Sequence, residues 1–241
     1  MTKNITTKPI IWTISGADCS GGAGIAADIK TGHGLGVEVC TLITANTVQN
    51  SQHVFSVNAV DVDVLQQQFN ALKVDKPPSV IKIGLLANKQ QVAWLVLVLE
   101  TLKQQAIQEE KSFTVVYDPV GQASVGGSLS LLTTTDLQPL LAMVDILTPN
   151  VKEAQQFTKC ENTQEQAALI QQLGVTSVIL KGGHSDDISY CEDVCVSPVQ
   201  PTGEIGEQQC YRLTSPRIDN NNTHGGGCSF ATALSAFMGH G

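Results

Sequence analysis

The sequence predicts one α/β domain on a mainly parallel sheet with helices on both faces. Three observations carry this. Apolar β-rich runs alternate with helical stretches along the whole chain, and each run is almost continuously apolar, as in strands buried on both sides. Hydrophobic residues make up 42% of the 241 positions and charged residues 15%, enough to bury a sizeable core. No repeat, low-complexity tract or linker-like stretch divides the chain, so residues 1–241 read as a single domain.

The elements follow in order. PIIWTISG (9–16) reads as a buried strand, with a helix over about 23–35. VEVCTLITA (37–45) is a second strand, and the near-3.6 apolar spacing of VDVLQQQFNALK (62–73) predicts a helix. SVIKIGLL (79–86) is a strand and KQQVAWLVLVLETLKQQAI (89–107) a long helix. FTVVYDPV (113–120) is a strand, followed by a helix near 133–142 and the strand VDILTPN (144–150). Helices near 151–158 and 163–173 precede the strand SVILKGG (177–183). A hairpin-like region (190–214) leads to a helix that begins after Cys228.

Composition narrows the partners. Acidic residues outnumber basic ones 22 to 14, the net charge is −8, and no Lys/Arg cluster occurs, so nucleic acid and anionic membrane are poor partners. The N-terminal apolar run is too short for a signal peptide, and VAWLVLVLETL is too short for a bilayer span; the expected location is cytoplasmic. Seven scattered cysteines read as free thiols, and the pair Cys191 and Cys195 lacks the further ligands of a zinc site.

In open parallel sheets chemistry gathers at the carboxyl ends of the strands. Those ends carry Ser15–Gly24, Asn46–Asn50, Gly84–Leu86, Asp118–Val120, Thr148–Asn150 with Glu153, and Lys181–His184. Five of the six are polar or charged, more than a structural sheet requires. The segment His224-Gly225-Gly226-Gly227-Cys228 precedes a helix. Glycines at a helix start expose backbone N–H groups to an anion, although glycine turns before helices are common. Neither a GxxxxGK[ST] phosphate loop nor a GxGxxG dinucleotide fingerprint with the right spacing is present.

SGADCSGGAGIAADIKT (15–31), ITANTVQN (43–50), VIKIGLL (80–86), VVYDPV (115–120), LTPNVKEA (147–154), VILKGGH (178–184) and NNTHGGGCSFATALSA (221–236) occur in this order. Together they resemble the hydroxymethylpyrimidine/phosphomethylpyrimidine kinases of thiamin biosynthesis, in the ribokinase-like superfamily. The resemblance runs from about residue 10 to the end. It implies a three-layer α/β/α sandwich and a homodimer. It also implies two phosphorylations, using ATP and Mg2+, of 4-amino-5-hydroxymethyl-2-methylpyrimidine and then of its monophosphate. A pyridoxal kinase and a weakly catalytic pyrimidine-binding protein are the alternatives.

By the family pattern Asp28 and Gln49 read the aminopyrimidine edge. A carboxylate accepts from an exocyclic amine, and an amide both donates and accepts. Gly16, Ala23, Leu85 and Val120 match positions lining the substrate pocket. Asp118 and Glu153 are the implied magnesium side, and Lys181, Asn150 and Thr223 the nucleotide side. Asn150 with Glu153 also reads as a helix cap. The amides of Gly225, Gly226, Gly227 and Cys228 are the implied cradle of the migrating phosphoryl group. Cys228 stands where ribokinase-like enzymes generally place an aspartate base, and a helix N-terminus is expected to lower its thiol pKa. Four departures from the pattern stand out: GGGC for GTGC, Cys19 for a proline, GQASVGGSL (121–129) for the usual flap, and an end thirteen residues after Cys228, where the family continues with further helices.

Overall fold

The computed structural model describes residues 8–50, 52–121, 127–182, 189–198, 209–218 and 223–241. Its strands are β1 (Ile10–Asp18), β2 (Glu38–Gln49), β3 (Val54–Ala59), β4 (Val80–Ile83), β5 (Thr114–Tyr117), β6 (Ile146–Leu147), β7 (Ser177–Leu180), β8 (Tyr190–Ser197) and β9 (Gln209–Pro216). The helices are α1 (Gly24–Gly34), α2 (Val62–Asp75), α3 (Lys89–Gln108), α4 (Thr134–Leu141), α5 (Val151–Thr158), α6 (Thr163–Gln172) and α7 (Gly226–His240).

All nine strands form one sheet in the order β3-β2-β1-β4-β5-β6-β7-β8-β9. The six from β2 to β7 run parallel; β3, β8 and β9 add antiparallel pairs at the two edges. Strand pleating explains the unbroken apolar runs. Trp12, Ile81 and Val115 enter the larger core, while their neighbours Ile11, Val80 and Val116 enter a second core on the opposite face. The larger core packs under α2–α6 and the smaller under α7, which also contacts α1. Each fully buried Leu or Ile here contributes about 1.5–3 kcal/mol relative to exposure.

Local signals set the helix starts. The Asn88 side chain accepts from the Gln91 N–H to cap α3, whose Leu95, Leu99 and Leu102 then fall on one buried stripe. Thr133 with Asp136, and Asn150 with Glu153, close capping boxes on α4 and α5.

Two expectations change. The second strand continues four residues past Ala45, so Asn46–Gln49 lie within it rather than beyond its end. The cause is β3, an edge strand the sequence reading lacks, which pairs Ala45 with Ala59 and Gln49 with Val54. The hairpin-like region is β8–β9, although residues 199–208 of it lie outside the described residues. Also outside are 122–126 of the expected flap, Gly183 and His184 after β7, and 221–222 before the glycine turn.

Candidate active site

The carboxyl ends of β1, β2, β4 and β5 and the start of α7 surround one cavity of about 510 Å3. Gly16, Ala23, Gln49, Leu85 and Val120 line one part of it; Asp118, Asn150, Glu153 and Lys181 line another; Thr223, Gly225, Gly226, Gly227 and Cys228 supply the helix tip. The structure thus brings together every residue singled out from the sequence except Asp28.

Asp28 is fully buried beneath the cavity and does not line it. Both its carboxylate oxygens lie 3.0 Å from the Lys82 ammonium, itself without exposure. The hydroxyls of Thr13 and Thr232 donate to the same carboxylate. The aminopyrimidine role expected for Asp28 is therefore corrected: it is an internal counter-ion joining β1, α1, β4 and α7. Burial alone would lower the Lys82 pKa, but the Asp28 charge outweighs it and holds the ammonium ionised.

Gln49 lines the cavity. Pleating turns Thr47 and Gln49 inward while Asn46 and Val48 face solvent. The Gln49 Oε1 is buried and has no hydrogen-bond donor among the described residues. A buried acceptor without a partner costs about 1–3 kcal/mol, which a ligand donor would recover.

On the other wall the Lys181 Nζ sits 2.8 Å from Asp118 Oδ1, while Asp118 Oδ2 is buried and has no partner among the described residues. Burial disfavours the Lys181 ammonium, yet Asp118 and Glu153 more than offset this and raise its pKa. Glu153 is pushed up to about 7 by burial and by the Asp118 charge. Its Oε2 accepts from the Asn150 N–H at 2.8 Å, and Asn150 Oδ1 accepts from the Glu153 N–H at 2.9 Å. The capping reading of Asn150 and Glu153 thus holds while both face the cavity. Two carboxylates on the cavity wall, one with an open oxygen, form a donor set that suits Mg2+, which keeps waters and shares its ligation with phosphates.

The glycine turn is fixed by close packing. Gly225 caps α7 with φ +78°, and a Cβ there would lie 1.9 Å from the Gly22 carbonyl oxygen. The Gly226 N–H donates to the Thr223 carbonyl at 3.1 Å, so it closes the turn instead of facing a ligand. The N–H groups of Gly227 and Cys228, at the second and third helical positions, have no acceptor among the described residues. A Cβ on Gly227 would sit 3.2 Å from Lys181 Nζ, so the tip adjoins the Lys181–Asp118 pair.

The expectation of a lowered thiol pKa is overturned. Cys228 is buried, and burial, reinforced by Asp118 and Asp28, pushes its thiol up to about 11 despite Lys82 and a Gly24 N–H that favour the thiolate.

Among the cavity residues to which the sequence reading gave no role, Asp18 and His224 stand out. Asp18, at the end of β1, accepts from the Ser20, Gly22 and Ala23 N–H groups and from the Ser20 hydroxyl. The His224 Nε2 lies 2.8 Å from its Oδ2. Burial works against ionising Asp18, but the bonds from Ser20 and His224 outweigh it and hold its pKa at about 2. The signal available was a polar side chain at a strand end; its partner lies 206 residues away.

A parallel sheet whose strand ends hold an acceptor pocket, beside a glycine-tipped helix and a lysine–carboxylate pair, defines a ribokinase-like small-molecule kinase. The model of the phosphomethylpyrimidine kinase family matches residues 18–241, and the chain belongs to that family. It is 36% identical over 232 residues to the hydroxymethylpyrimidine/phosphomethylpyrimidine kinase of Escherichia coli, covering 93% of this chain and 80% of that protein. The phosphomethylpyrimidine kinase structure from Clostridium difficile superposes with a TM-score of 0.75 at 28% identity, covering 97% of this chain and 92% of the other. An ADP complex of Bacillus subtilis pyridoxal kinase superposes with a TM-score of 0.80 at 25% identity, covering 98% and 85%. Among the described residues no helix is long and apolar enough to cross a membrane.

Proposed function

We propose that the protein transfers the γ-phosphoryl group of ATP to the hydroxymethyl group of 4-amino-5-hydroxymethyl-2-methylpyrimidine, and then to the resulting monophosphate, in thiamin biosynthesis. One observation carries the reading: two buried acceptors without a partner among the described residues, Gln49 Oε1 and Asp118 Oδ2, line one cavity together with the open amides of an α-helix. The first calls for a neutral donor such as the exocyclic amine of an aminopyrimidine; the second calls for a cation.

The chain's own groups then divide the work. Gln49 orients the ring by its amine, with Gly16, Ala23, Leu85 and Val120 as the surfaces around it. Gly227 and Cys228 N–H groups stabilise charge on the transferring phosphoryl group, and Lys181 adds a positive charge beside them. Asn150 and Thr223 border the nucleotide phosphates. A magnesium ion, held by Asp118 and Glu153, would neutralise phosphate charge. Cys228, neutral at physiological pH, meets the acceptor hydroxyl as a hydrogen-bond partner, so positioning and electrostatics carry more of the rate than proton abstraction by a free thiolate. A homodimer is proposed from the family resemblance.

Incubation with ATP, Mg2+ and hydroxymethylpyrimidine, followed by mass spectrometry, tests this: mono- and diphosphate should appear in sequence. The likeness to the pyridoxal kinase fold makes pyridoxal the comparison substrate. Faster turnover of pyridoxal than of the pyrimidine would overturn the assignment.

A further inference from the structure

We propose that Asp18 and His224 form a latch that sets the distance and angle between the acceptor pocket and the phosphate-binding tip of α7. This makes them positioning residues for phosphoryl transfer; the inference rests on the kinase reading above. The loop from Asp18 to Ala23 adjoins the acceptor wall through Ala23, and the turn from Thr223 to Cys228, at the other end of the chain, carries the tip. Asp18, 7% exposed, gathers its own loop through the Ser20, Gly22 and Ala23 amides. It then spends its Oδ2 on His224 as well, at 2.8 Å. An ionised carboxylate only accepts, so the imidazole donates from Nε2.

The two loops also interlock through their glycines. A Cβ on Gly22 would fall 2.3 Å from the His224 ring, and one on Gly225 would fall 1.9 Å from the Gly22 carbonyl oxygen. At Gly225 backbone therefore lies against backbone, and at Gly22 backbone lies against the His224 ring. Among the described residues, Asp18–His224 is the one side-chain hydrogen bond that fastens these loops to each other. His224 directly precedes the helix cap, so a rotation of its backbone swings the Gly227 and Cys228 amides relative to Ala23 and Gln49. Displacement of about 1 Å between reacting groups costs on the order of 100-fold in rate.

The test compares His224→Ala with His224→Gln, whose amide nitrogen occupies the Nε2 position and can still donate to Asp18. H224A should lower kcat for pyrimidine phosphorylation about 100-fold, while the pyrimidine Kd measured by calorimetry without ATP stays within about threefold. H224Q should restore kcat to within about tenfold of wild type. Hydrogen exchange of the amides of residues 223–228 should be at least tenfold faster in H224A and near wild type in H224Q. Should H224A fail to fold, His224→Asn, whose amide stops short of Asp18, takes its place in the comparison. An H224A enzyme within threefold of wild-type kcat overturns the latch, as does a parallel loss of pyrimidine affinity or a failure of glutamine to rescue. If the wild type phosphorylates no pyrimidine, the functional reading fails instead. The exchange measurement then decides the latch by itself: unchanged protection in H224A removes it.

Discussion

Replacing Lys82 by methionine separates a substrate-reading Asp28 from a structural one. In the structure the ammonium of Lys82 bridges both Asp28 oxygens at 3.0 Å with neither side chain exposed. Methionine fills a similar volume but leaves the carboxylate with only the Thr13 and Thr232 hydroxyls. Breaking a buried ion pair from one side costs about 3–5 kcal/mol, because the remaining charge is stranded. For a chain of this size each kcal/mol moves Tm by about 2–4 °C, so K82M should melt roughly 10 °C below wild type. Replacing both partners, with Asp28→Leu added, should recover at least half of that loss, since no charge is then left buried. The assay is thermal unfolding followed by circular dichroism, with pyrimidine binding measured below the transition. Thr232 stands one helical turn beyond Cys228, so the folded fraction of K82M should also lose rate through a loosened α7. A K82M protein that melts within about 2 °C of wild type and has lost pyrimidine affinity would refute the argument and return Asp28 to the substrate.

Other expectations concern the glycine turn and two titrating groups. Gly225→Ala must adopt a positive φ and collide with the Gly22 carbonyl; a loss of about 1–3 kcal/mol from the backbone conformation alone should appear in urea unfolding. Gly226→Thr meets nothing within 4 Å and replaces a poor helix residue, so Tm should rise by about 1–2 °C with turnover kept; a fall in Tm would show the tip to be crowded. With its pKa near 11, Cys228 should be alkylated by iodoacetamide at pH 8 far more slowly than the exposed Cys19 and Cys210, as peptide mapping will show. Asp18 is depressed from 3.8 to about 2, so its contribution is present above pH 4 and is lost as pH falls from about 4 to 2. Asp18→Asn should flatten the acid arm of the stability curve by about 2 kcal/mol or less.

What could be read from the sequence depended on how many elements make up a residue's surroundings. The β1, β4 and β5 runs are legible because pleating sends alternate apolar residues into two cores, so the apolar run outweighs the few buried polar positions such as Thr13 and Lys82. Gln49 is legible for a related reason: its inward side follows from strand alternation once β2 is extended. By contrast VFSVNA (54–59) alternates only over Phe55–Ala59 and buries none of its residues, so β3 is short and exposed and is held mainly by its pairing with β2. The sequence shows Asp28 near the start of a helix and Cys228 at another helix start, but it does not show depth. Depth reversed both readings. Near the surface a helix N-terminus favours a thiolate, whereas at this burial desolvation, with Asp118 and Asp28, outweighs Lys82 and the Gly24 N–H. A carboxylate one turn into α1 would be free for a ligand unless a lysine 54 residues away reached it through the core. The same reasoning explains why the glycine turn was only half legible. Its position before α7 is local, but the Gly226 N–H is removed from service by the Thr223 carbonyl, and the turn's orientation is set by Gly22 and Asp18. Chemistry that depends on the tip is thus governed by residues at the other end of the chain. A substitution in the Asp18–Ala23 loop should therefore alter phosphoryl transfer as strongly as one in the glycine turn itself.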